Sequence, residues 1–184
     1  MSIYRLAAAT AAALLLSCGA VLAQIESTPV PQTPKPNFSQ MAFLTGTWNC
    51  SVKSSRRPSA YQTTSTANIS PDGYWLVTRT TTHKASWIPA EQRSEDRLTY
   101  DPSTSRWIDI GTDDGGGYNV STSPGWKGNT ITWTDAVITK VNATASTNPT
   151  IMTKVSNAKT TSRSSFKEPS GRLISVMTTC TKKS

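Results

Sequence analysis

LTYDPSTSRWIDIGTDDGGGYNVSTSPGWKGNTITWTD, residues 98–135, carries three turn signals: Asp101-Pro102-Ser103, Gly115-Gly116-Gly117 and Pro124-Gly125-Trp126-Lys127-Gly128-Asn129. Their chemistry is local. Asp and Ser fold back on nearby backbone, Pro fixes φ, and Gly takes φ values that other residues avoid. Between the turns run short segments of Thr, Val, Ile and Trp that show no helical period. Links this tight join antiparallel neighbours and leave no room for crossover helices.

The same pattern extends in both directions. "WNCSVKSS", "YQTTSTANI" and "YWLVTRTTTH" precede the stretch, while "IMTKVS", "TTSRSSFK" and "LISVMTTCT" follow it. Ser70-Pro71-Asp72-Gly73 and Pro169-Ser170-Gly171 supply further turns. The expected fold is all-β, an antiparallel up-and-down meander of about 9–10 strands. A meander of that size either keeps two exposed edges or closes so that its first and last strands pair.

The N-terminal residues read differently. "MSIYRLAAATAAALLLSCGAVLAQ" opens with one positive charge, Arg5, continues as an Ala/Leu run and reaches Val21-Leu22-Ala23 before Gln24. That is the pattern of an export signal over residues 1–23, too short and Ala-rich for a membrane span. The expected location is therefore periplasmic or extracellular. "LLSC", residues 15–18, offers an alternative, because it resembles a lipobox that would place a lipid anchor on Cys18. Residues 24–40 contain four prolines and no hydrophobic period. They read as an extended, unpacked lead to a domain over 41–184.

With Cys18 in the signal, Cys50 and Cys180 are left in the folded part. In an exported chain such a pair is expected to be oxidised, with two unpaired thiols as the alternative. A bridge needs Cα atoms within about 7 Å, which a closed barrel would supply. Side chains two apart share a face, so Cys50 goes with Trp48, and Cys180 with Ile174, Val176 and Thr178.

"FLTGTWNCSV", residues 43–52, holds Gly46-Thr47-Trp48 on the first strand. A Gly-x-Trp there, ahead of an antiparallel meander, resembles the lipocalin and fatty-acid-binding (calycin) group. Residues 98–135, with their Tyr-Asp-Pro turn and Ser-Pro-Gly-Trp hairpin, are similar to bacterial secreted lipocalin-like domains of unknown function. The resemblance covers most of the chain after residue 41. It implies a lipocalin-like barrel whose closed end is plugged by Trp48 beside Gly46, with Lys182 over the indole ring in a cation–π contact.

Signals for catalysis are missing. His83 is the only histidine, so it cannot build a multi-histidine zinc site, and no nucleophile elbow accompanies it. Some barrels hold haem through one histidine, but the surround of His83 does not match theirs. No enzyme, metal or cofactor is expected. Asp109, Asp113 and Asp114 beside the glycine run read as a solvated hairpin turn, since their spacing fits no calcium loop. Glu95 and Asp96 alternate with Arg93 and Arg97, which suggests ion pairing on an outer face.

The formal net charge is +8, with acids gathered between Glu91 and Asp114 and bases dominating afterwards. An anionic lipid or glycan surface is one partner this admits; nucleic acid is not expected without a basic helix or an RNA-binding signature. The aromatic residues carry the other expectation. Trp75 with Val77 and Arg79, Trp107, and Trp133 with Ile131 and Asp135 form mixed apolar and polar faces suited to a ligand-lined interior. A solid core filled by the same tryptophans is the alternative. Two functions stay open: a small hydrophobic ligand-binding barrel, and a non-catalytic envelope or structural protein that contacts anionic surfaces.

Overall fold

The structure, a computed structural model, describes residues 32–139, 148–168 and 170–183, with backbone alone at 135–139. The expected signal over 1–23, Cys18 and the first part of the proline-rich lead lie outside the described residues.

Among the described residues eleven strands follow in chain order: β1 (Gly46–Ser54), β2 (Tyr61–Ile69), β3 (Leu76–Thr82), β4 (Gln92–Asp101), β5 (Arg106–Asp113), β6 (Tyr118–Ser123), β7 (Trp126–Lys127), β8 (Thr130–Thr139), β9 (Thr150–Ser156), β10 (Lys159–Lys167) and β11 (Leu173–Lys182). Consecutive strands pair antiparallel, β6 pairs with β8 across the short β7, and β11 returns to β1. Ten strands thus close a ring, with β7 hydrogen-bonded only to the start of β8. Closure removes the unpaired edges that an open meander would leave to aggregation. The all-β, up-and-down barrel read from the turns is the observed architecture.

The seam joins the ends of the domain in register: Trp48 opposes Lys182, Cys50 opposes Cys180, and Ser54 opposes Val176. Cys50 and Cys180 are bridged, with Cα atoms 4.0 Å apart across 130 residues of sequence. The turns work as their residues suggest. Asp101 accepts from the backbone N–H of Ser103 and from the Ser103 and Thr104 hydroxyls. Asp113 Oδ1 accepts from Gly115 and Gly117 N–H around Gly116, whose φ of 79° a side chain would resist.

Period-two burial separates inside from outside. On β1 Trp48, Cys50 and Val52 are buried; on β11 Ile174 is buried and Val176, Thr178 and Cys180 are half-buried, while Leu173, Ser175, Met177 and Thr179 face solvent. One end of the interior is solid. Two single-turn 3₁₀ helices, Phe38–Gln40 and Ala42–Leu44, precede β1, the first capped by the Asn37 side chain accepting from Ser39 N–H. Phe38 and Met41 pack with Ala67, Leu76, Leu98, Trp107 and Ile131. Phe38 and Tyr100 each tilt against Trp107, at 5.6 and 5.4 Å, and Trp126 Nε1 lies 3.1 Å from Met41 Sδ. Packed chain therefore begins at Phe38, inside the segment expected to be an unpacked lead. Burying one such side chain stabilises the fold by about 1.5–3 kcal/mol.

Candidate functional site: the barrel lumen

At the plugged end, Gly46, Trp48 and Lys182 form one latch. Trp48 Nε1 donates to Leu44 O at 2.8 Å, and Lys182 Nζ lies 5.6 Å from the Trp48 ring centroid while donating to Phe43 O at 3.1 Å. Gly46 has φ +105° with the Lys182 side chain directly over it, so neither the conformation nor the space admits a larger residue easily. Lys154 Nζ sits 4.3 Å from the Phe43 ring centroid at the same end. Both of these inward lysines are thereby engaged at the plug.

The six proposed lining residues divide. Trp107 and Ile131 are buried in the plug core, and Trp133 packs against it. Trp75, Val77 and Arg79 do not line the lumen. Trp75 precedes β3 in a hairpin where its N–H donates to Ser70 Oγ, and β3 itself buries Leu76. Leu76 sets the parity, so Thr78 and Thr80 turn inward with it and Val77 and Arg79 turn outward. The Arg79 side chain is 69% exposed and pairs with Glu95 at 2.9 Å, which also holds Arg97 at 2.7 Å. Glu95 and Arg97 thus pair outside as expected, and Asp96, on the opposite face of β4, goes inside.

Above the plug the wall has two characters. From β2 to β6 it is polar: Ser65 and Thr80 hydroxyls meet at 2.8 Å, and the register turns Thr78, Ser94, Asp96, Asp109, Asn119 and Ser121 to the same side. Five strands further around the ten-membered ring, β10 and β11 with neighbouring β1 contribute Phe166, Ile174, Val176, Val52 and the disulfide. Thr78, Thr80, Ser94, Asp96, Asp109 and Asn119 face inward yet are only half-buried. At the plug, by contrast, inward Ile131 and Ser123 are fully buried. On the apolar arc Ile174, at the far end of β11 from Lys182, is as fully buried as these plug residues, so the half-buried inward positions are those of the polar arc. A groove of about 370 Å³ lies across β3, β4 and β5, lined by outward Arg79, Thr81, Arg93, Glu95 and Thr112 together with Thr80, Ser94 and Asp113.

Asp109 is the residue whose sequence reading changes most. Asp113 and Asp114 do serve the hairpin, Asp114 accepting from Arg93 N–H at 2.9 Å. Asp109 instead lies deep beneath the wall, with part of its surface open to the lumen. Burial first, and the neighbouring Asp96 carboxylate second, push its pKa up to about 8. Gly111 separates the elements of this cluster: a β-carbon there would overlap Asn119 Oδ1 and come within 2.7 Å of Asp96 Oδ1. The missing side chain lets both polar groups lie over the β5 backbone. Such a cluster can retain a proton near neutrality, donate it in a hydrogen bond, or exchange it for a cation. His83 sits elsewhere, between Thr64 Oγ1 at 2.8 Å and Glu91 Oε1 at 3.3 Å on the outer surface.

No family model matches the chain, and no curated protein matches it. Among solved structures, one similar chain is a protein of unknown function from the DUF3598 family of Nostoc punctiforme, 12% identical with a TM-score of 0.38. The alignment covers 85% of this chain and 53% of the other, so this protein spans about half of that chain's length.

Proposed function

We propose that the protein is a non-catalytic binding cup for a small, largely apolar molecule, held in the lumen above the Phe38–Met41 plug. The observation that carries this reading is the half-buried state of the inward polar residues of β3 to β6, Thr78, Thr80, Ser94, Asp96, Asp109 and Asn119, which retain accessible surface although they face the barrel axis. A wall with an apolar arc and a small number of convergent polar groups is what ligand pockets generally present. The lipocalin-like resemblance of the Gly46-Thr47-Trp48 start points the same way. The bridged cysteines fit an exported carrier, since disulfides persist in oxidising compartments. Titration of the tryptophan fluorescence with neutral long-chain alcohols and retinoid-type probes tests the proposal. Saturable quenching at one ligand per chain is expected. A flat response to every probe, with an experimental structure showing a filled interior, overturns it.

A second reading has its own observation. Outside the barrel, Met177 and Leu173 are 61% and 55% exposed, and Met177 stands in register between Lys53 and Arg163. An apolar patch flanked by bases suits an anionic lipid or glycan surface. Retention on anionic but not neutral vesicles, falling steeply with salt, is the expected result; salt-independent behaviour counts against it.

A further inference from the structure

We infer that the protein docks on an anionic lipid bilayer through the outer face of β9, β10, β11 and β1, at the end remote from the Trp48–Lys182 latch. Leu173 and Met177 enter the interface there, between Lys53, Arg163 and Lys167. The inference rests on the anionic-surface reading and deepens it, because it selects lipid over glycan and names the side chains that insert. Its starting point is register. Ile151, Arg163, Met177 and Lys53 stand side by side in one row across four strands. Nearer the strand ends, Lys167 opposes Leu173. Apolar and basic side chains therefore alternate across this band, all on the outward side of the pleat. The next outward row toward the latch is entirely hydroxyl: Thr153, Thr161, Thr179 and Ser51.

The charge on this side is of one sign. Residues 46–69 contain no acid, and residues 136–184 contain Glu168 alone. Glu168 is itself neutralised in its turn, with Arg56 at 3.2 Å and Arg172 at 2.8 Å. Lys53, Arg163 and Lys167 are exposed and have no ion-pair partner among the described residues. Across the barrel on β3 and β4, by contrast, Arg79 and Arg97 share Glu95. A face with unpaired bases and no exposed acid attracts an anionic partner and meets no repulsion from it.

The apolar members of the band decide which anionic partner fits. A hydrated polyanion such as an acidic glycan would pair the bases and leave Met177 and Leu173, 61% and 55% exposed, in water. A bilayer interface satisfies both groups. The flexible Met and Leu side chains enter the acyl boundary, while the Lys and Arg stems lie along it and carry their charges up to the phosphates. The contact is peripheral. Gln62, Thr64 and Thr66 on neighbouring β2 keep the outside polar, whereas a membrane-spanning barrel presents a continuous apolar belt.

Three surfaces separate the possibilities: phosphatidylcholine vesicles, mixed phosphatidylcholine–phosphatidylglycerol vesicles, and immobilised heparin as a glycan polyanion. The chain with its disulfide intact should bind the mixed vesicles and not the neutral ones. Leu173→Ser/Met177→Ser should weaken vesicle binding roughly tenfold or more while leaving heparin retention unchanged. Lys53→Gln/Arg163→Gln should weaken both, and Arg79→Gln/Arg97→Gln, which removes the same charge from the other side of the barrel, should weaken neither. All these side chains point outward, and far-ultraviolet circular dichroism checks that each variant folds; the single serine variants give the same readout if the double one does not. Vesicle binding that survives the serine substitutions, or retention on heparin alone, overturns lipid docking and leaves the anionic-surface reading standing. Equal losses from the two glutamine pairs overturn the assigned face. Binding to none of the three surfaces overturns both readings.

Discussion

Lys182 crosses Gly46 so closely that a β-carbon on the glycine would come within 2.9 Å of Lys182 Cε. The lysine continues to Phe43 O and to the face of Trp48, tying the last strand to the turn that plugs the barrel. Gly46→Ala is expected to cost about 1–3 kcal/mol, because alanine must hold φ +105°. The clash itself involves the far end of a flexible chain and can relax. Adding Lys182→Ala should therefore restore little of the loss, and urea denaturation of the single and double variants measures both. Full rescue by the second substitution would place the cost in the clash instead.

Cys50 and Cys180 sit opposite each other in a ladder that pairs β1 with β11 over seven positions, from Trp48 to Ser54. The bridge is added to a seam that hydrogen bonds already close. Its removal by Cys50→Ala/Cys180→Ala should lower stability by about 2–4 kcal/mol through the unfolded state. Far-ultraviolet circular dichroism of the folded variant should be unchanged. Collapse of the β-signal at room temperature would mean that the ladder cannot close without sulfur.

The strand order and closure were legible because they rest on local chemistry. Turn residues such as Asp101, Asp113 and Gly116 act within a few positions of themselves, and the cysteines at the two ends select the closed topology. Facing was harder. Both sides of β3 are Thr-rich, so one apolar residue decides the parity, and that residue is Leu76 rather than Trp75. The interior acid was nonetheless present in the sequence. With Trp107 inside, period two places Asp109 and Gly111 on the same face of β5, and the glycine run beyond them obscured that relation. Phe38 was concealed by its proline-rich surroundings, since nothing local announces that one aromatic in such a segment will dock.

Arg79 now belongs to an outer cluster with Glu95 and Arg97, where hydrogen bonding to Arg97 first, and the two positive charges after it, hold the Glu95 carboxyl below its ordinary range. Exposed pairs of this kind contribute roughly 0–1 kcal/mol. Glu95→Gln should change thermal stability only slightly, and less still at high salt. Arg79→Ala should leave binding in the lumen unaltered. A loss of ligand affinity in that variant would return Arg79 to the interior and overturn the facing assigned to β3.

Asp109 makes the pH dependence of stability testable with a definite sign. Its carboxyl has a pKa raised from 3.8 to about 8 in the folded chain. Between those values the folded protein holds a proton that the unfolded chain has released, so this group makes stability fall as pH rises across the window. Below the window both states are protonated and the group costs nothing; above it the full penalty of a buried charge is present. Asp72, Asp101, Glu95 and Glu168 have lowered values and act oppositely, losing their contribution as the solution turns strongly acidic. The informative quantity is therefore the difference between Asp109→Asn and the parent protein. That difference should be small near pH 4.5 and should grow in favour of the variant by pH 8.5, measured as the shift in Tm at each pH. Asp96→Asn removes only the smaller of the two causes, so a residual slope should persist there because burial of Asp109 remains. A constant difference across the range would mean that Asp109 titrates as a solvated carboxylate rather than a buried one.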